Sequence, residues 1–107
     1  MEKGVYVDER FLAREIGTSG EDREGNEILF VRVKKSFFST NPEAEKLMVP
    51  GVLLAIGHVV PQITRPAGSY QKLGYLAALE VHRISKAPDG DWLIEGYRGT
   101  HYRREFV

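Results

Sequence analysis

One stretch, residues 72–99, constrains the fold more than any other part of the chain. Two runs suited to strands, 72–86 and 91–99, flank Ala87-Pro88-Asp89-Gly90. Proline at the second position of a turn, aspartate at the third and glycine where φ must be positive specify a type I turn closed by a glycine bulge. That loop sets the register: Lys86 faces Trp92, Ile84 faces Ile94 and Arg83 faces Glu95. Further out, Val81 is expected opposite Tyr97 and Glu80 opposite Arg98. Apolar then meets apolar and acid meets base, and a slip of one residue breaks most of these matches.

Other segments follow the same period. Residues 27–38 read as a strand, with Leu29, Val31 and Val33 on the core face and Phe30, Arg32, Lys34 and Ser36 on the other. Gly51–Val60 is the most apolar run and reads as a buried strand in which Gly57 marks a bend or bulge. Val5-Tyr6-Val7 alternates briefly, while residues 10–16 fit either a strand or two helical turns. Residues 17–26 are polar and punctuated by glycine, and are expected to be a mobile surface loop. Residues 61–70 read as a long loop and residues 100–107 as a last strand. The clear helix signal is Pro42–Met48, with Thr40 or Asn41 as cap, proline at the first position and acids in the first turn. The expected fold is therefore mainly β: one domain over 1–107, a small barrel or sandwich of antiparallel hairpins with one short helix.

Composition excludes several classes of function. At 107 residues without cysteine, a disulfide framework, thiol catalysis and cysteine-ligated zinc are ruled out, and a cytoplasmic setting is expected. No apolar run approaches the ~18 residues that span a bilayer, so no membrane partner is expected. Basic and acidic residues number 15 each, but unevenly: residues 1–27 carry four basic and eight acidic side chains, a net −4 that leaves +4 on the rest.

No constellation carries catalysis. None of the serines lies in a nucleophile elbow, and no phosphate-binding or dinucleotide-binding loop occurs. Glu80 and His82, two apart on one strand, would form a two-histidine, one-carboxylate metal set with His58. The expected Glu80–Arg98 pair and the lack of a His-x-His motif favour structural histidines instead, so no metal, cofactor or catalytic residue is assigned.

Two binding readings remain. The leading one is a non-enzymatic module acting through protein–protein contacts, as a homo-oligomer or in a larger complex. Its interface would be the apolar strand (Leu53, Leu54, Ile56, Val59) and the last segment (Tyr102, Phe106). The alternative is a single-stranded nucleic-acid-binding barrel, in which bases stack on exposed rings while cations track phosphates. Its residues would be Phe30, Arg32, Lys34, Trp92, Arg98, Arg103 and Arg104. Zero net charge favours the protein partner.

Overall fold

A computed structural model describes residues 4–60 and 72–99, the side chains of 59–60 and 72–75 excepted. The expected loop at 61–70 and last strand at 100–107 lie outside the described residues. Among the described residues six strands form one mixed sheet: β1 (Val5–Asp8), β2 (Gly17–Glu21), β3 (Glu27–Val33), β4 (Leu53–Val60), β5 (Lys72–Lys86) and β6 (Trp92–Arg98). Their order across the sheet is β1-β4-β5-β6-β3-β2, antiparallel throughout except that β1 runs parallel to β4.

The hairpin β5–β6 has the register expected from Lys86↔Trp92 through Ile84↔Ile94 to Arg83↔Glu95. Beyond that it departs from expectation. His82 is the extra residue of a bulge, so Val81 pairs with Gly96 and Glu80 with Tyr97, not Val81 with Tyr97 and Glu80 with Arg98. Gly96 permits this, because β5 passes so close that a side chain there would overlap the Glu80 carbonyl. Alternation along the sequence does not reveal such a shift, since the outward residues His82 and Arg83 are both polar.

The sheet curls tightly. Asp8, the last residue of β1, pairs with Gly57 of β4, yet Leu12 already bridges Val33 on the far edge of β3. The amide of Ala13 donates to Arg32 O and that of Lys34 to Phe11 O, at 2.9 and 2.8 Å. In a flat sheet these positions lie five strand spacings apart, about 24 Å, whereas four residues reach at most about 14 Å. The sheet therefore bends until its two edges come within reach of this short crossing, a single 3-10 turn at Glu9–Phe11 followed by extended chain. Two bulges on β5, at Leu76 and at His82, supply local bending. The edge strands β1 and β2 are the two ends of the sheet order, so hydrogen bonding does not close it into a ring.

The concave side holds the core: Val5, Val7, Leu29, Val31, Val33, Leu54, Ile56, Leu79 and Ile94 are at most 1% exposed. Two helices plug it, α1 (Lys35–Thr40) and α2 (Pro42–Leu47). Here the strand expected over 27–38 is corrected: it stops at Val33. In a strand, adjacent Phe37 and Phe38 would point to opposite faces; a helical turn lets both enter the core, where Phe38 stacks on Trp92 at 4.0 Å between centroids. The capping expectation also changes. The Asn41 side chain makes no capping bond to α2 and instead donates from Nδ2 to Phe37 O, closing α1.

Residues 17–26 do not form one loop. Their first half is β2, which has no apolar period and is a strand because the edge of β3 offers it a ladder. The turn behind it is organised by Asp22, whose carboxylate accepts from the amides of Glu24 and Asn26 and from Asn26 Nδ2.

Candidate functional site

The basic-aromatic set proposed for nucleic acid is not gathered on one free surface. Trp92 points inward and is 7% exposed, with Phe38 stacked on its ring and Lys86 Nζ 4.6 Å from its centroid. Arg32 faces outward between two carboxylates, Nε to Asp91 Oδ2 at 3.1 Å and Nη2 to Asp89 Oδ2 at 2.9 Å. These bonds raise the guanidinium pKa further, with Asp91 the larger cause. Asp89 is held below the usual carboxylate range first by the Asp91 amide and then by Arg32. Arg98 pairs with Glu27, whose carboxyl is lowered chiefly by that hydrogen bond. Phe30 is half-buried on the outer face under the Arg14 guanidinium, 4.5 Å from its centroid, and Lys34 is exposed with Nζ 3.4 Å from Arg10 O. Arg103 and Arg104 lie outside the described residues. Phosphate binding needs cations free to release their counterions, and Arg32 and Arg98 are already neutralised.

The expected interface draws on β4. It requires one face of β4 to be uncovered, but Leu53, Leu54 and Ile56 are all at most 5% exposed. Leu54 and Ile56 join the main core, while Leu53 packs with Ala55 and Ala78 on the opposite face, against which Tyr6 is placed. The Val59 side chain, Tyr102 and Phe106 lie outside the described residues. Among the described residues no three His, Asp or Glu side chains converge. His58 instead places Nδ1 3.7 Å from Glu9 Oε1.

What the fold exposes is a cleft of about 420 Å³ lined by Leu12, Ile16 and Leu76 with Glu9, Arg14 and Glu15 at its rim. Each apolar residue has a structural cause for being there. Leu12 is fixed by its bridge to Val33, and both it and Ile16 rest on the core. Leu76 is the extra residue of a bulge, since Ile56 pairs with Ala77 and Gly57 with Tyr75. A bulge re-aims a side chain that the pleat would otherwise place with its neighbours; Leu76 is left 50% exposed, one of two large apolar side chains so exposed among the described residues. Sequence reasoning missed this site. The sole trace of it is Leu76-Ala77-Ala78-Leu79, where four apolar residues in a row break the strand's alternation.

The rim carries charges of both signs. Arg14 is drawn over Phe30 and Arg10 lies beside Asp8 at 4.0 Å, so both cations of this crossing are engaged. Glu15 has no hydrogen bond or ion pair among the described residues, and Glu9 has His58 as a half-exposed neighbour. The cleft is thus apolar at its floor, with Glu9, Glu15 and Arg14 at its edge. Compared with family models, curated proteins and solved structures, the chain matches none.

Proposed function

We propose that this chain is a non-enzymatic protein-binding module of the cytoplasm, a small barrel-like domain that acts through protein–protein contacts. The observation that carries this reading is Leu76: a bulge holds a leucine half out of the fold, beside Leu12 and Ile16, at the mouth of an apolar cleft with a charged rim. Keeping a large apolar side chain in water forgoes about 1–2 kcal/mol of burial, which contact with a partner would recover. The engagement of Arg32 and Arg98 with carboxylates and the burial of Trp92 weigh against the alternative, a surface for single-stranded nucleic acid.

The test is light scattering on a size-exclusion column, with and without a mixed-sequence single-stranded oligonucleotide at moderate salt. The reading expects a mass that the oligonucleotide leaves unchanged. A shift to a protein–oligonucleotide complex, weakening steeply as salt rises, overturns it in favour of phosphate tracking.

A further inference from the structure

Resting on that reading, we infer that the free edge of β2 (Gly17–Glu21) takes an added strand from a partner protein. The partner segment is extended, carries lysine or arginine, and runs along β2 toward the cleft of Leu12, Ile16 and Leu76.

The edge is open. β2 is one end of the sheet order, and among the described residues no strand lies on its outer side. Thr18, Ser19, Gly20 and Glu21 are exposed, and a side chain starting at Gly17 or Gly20 would meet nothing within 4 Å. The other end of the sheet differs, since Val5 and Val7 of β1 are wholly buried. An edge strand turns main-chain donors and acceptors outward, and an extended peptide satisfies them by adding to the sheet. Gly17 and Gly20 suit such a neighbour, because a second backbone can come close where no side chain stands. β2 has neither proline nor lysine, residues that commonly block an edge. Its bulge at Ser19 adds twist but leaves a pair of residues on either side to form a ladder.

Charge selects the partner. Residues 15–24 hold Glu15, Glu21, Asp22 and Glu24 against Arg23, a net −3. Asp22 is taken up by its own turn. The side chains of Glu15, Glu21 and Glu24 are exposed and make no hydrogen bond or ion pair among the described residues. The cations of the preceding crossing are engaged, Arg14 over Phe30 and Arg10 beside Asp8. A second copy is disfavoured, because β2 against β2 would bring two such stretches together, whereas a strand that carries cations is attracted. β2 itself offers no apolar side chain, so the ladder and these charges are what a partner meets there.

The edge also leads into the cleft. Glu15 and Ile16 line the cleft, and Gly17 follows directly. A strand antiparallel to β2 passes Glu21 first and Gly17 last. An apolar residue just beyond its basic stretch then arrives at Leu12, Ile16 and Leu76.

The experiment uses the full chain and a short labelled peptide of alternating lysine and threonine that ends in leucine, read by fluorescence anisotropy. Two companions are titrated beside it. One has glutamate for lysine; the other has its amides N-methylated, which keeps every charge but removes the ladder donors. The lysine peptide is expected to bind, and each companion to bind at least tenfold more weakly. In Glu15→Lys/Glu21→Lys/Glu24→Lys the preference is expected to invert, with the glutamate peptide bound at least tenfold tighter than the lysine peptide, a reversal that misfolding cannot produce. A parent that does not bind the lysine peptide overturns the inference. Equal binding of the N-methylated peptide also overturns it, since charge alone would then be recognised. So does a dimer of the parent, seen by light scattering, that the lysine peptide fails to dissociate. In each of these cases protein binding as such still stands, because it fails on the oligonucleotide result instead.

Discussion

Gly96 of β6 lies so close to the backbone carbonyl of Glu80 on β5 that no Cβ fits between them. The obstructing atoms are main chain at the His82 bulge, with Leu79 Cδ1 2.8 Å from the same point, so the site has little freedom to give. Gly96→Ala is expected to cost more than about 2 kcal/mol, as strain or loss of the bulge. Gly99→Ala is the control. There the nearest atom is a leucine methyl, Leu53 Cδ1 at 3.2 Å, which can rotate aside. Urea denaturation of the two variants checks the difference, and equal midpoints would mean that the bulge is not held by Gly96.

Trp92 is the one tryptophan of the chain, and its ring is stacked on Phe38 within the core. Its emission should therefore be blue-shifted in the folded state and move to longer wavelength in a single step on unfolding. Trp92→Ala is expected to cost about 3–5 kcal/mol. A single-stranded oligonucleotide should leave the emission unquenched. Quenching would place the ring against bases.

Among the described residues, Glu27 beside Arg98, Asp89 beneath the Asp91 amide and Arg32, and Asp22 against the side chain and amide of Asn26 titrate below the usual carboxylate range. A carboxyl with a lowered folded pKa contributes stability above its unfolded value and loses it as pH falls through the folded one. Stability should thus be level from about pH 7 to pH 5 and decline below roughly pH 4.5. Arg98→Leu lets Glu27 return toward the ordinary range. Urea midpoints of this variant and the parent should differ at neutral pH and converge at about pH 2.5, where Glu27 is protonated in both. A gap that persists in acid would mean that Arg98 stabilises through packing alone.

Ile56 and Leu76 sit within one pair of strands yet should respond in opposite ways. Ile56 is wholly buried, and Ile56→Ala is expected to cost about 2–5 kcal/mol. Leu76 is half exposed, and Leu76→Ala should change stability by about 1 kcal/mol or less while weakening association. Denaturation and light scattering on the same two proteins separate the roles.

The sequence is informative where turn chemistry and period agree. Pro88-Asp89-Gly90 determines the hairpin and its first four pairs, and Leu29, Val31 and Val33 all face the core as their spacing requires. It is silent where a tertiary contact decides. Gly17-Thr18-Ser19-Gly20-Glu21 becomes a strand only because β3 has a free edge, and Lys35–Thr40 turns helical so that two adjacent phenylalanines reach one core. The candidate site was the least legible part. It depends on two bulges and on a crossing whose course is set by the curl of the whole sheet, none of which has a local signature in residues 9–16 or 72–79. Trp92 misled for the opposite reason: an aromatic next to a cation reads the same whether the ring faces water or the core.

The parallel pairing of Val5 with Leu54 has a consequence for how this chain is made. Forty-nine residues separate the partners, so at roughly 5–20 residues per second a ribosome needs on the order of several seconds after Val5 before Leu54 exists. Val5-Tyr6-Val7, synthesised before β4, must wait for it. Meanwhile its protection against premature association is its brevity and the acids beside it, Glu2, Asp8 and Glu9, which discourage pairing with the same stretch on a neighbouring nascent chain.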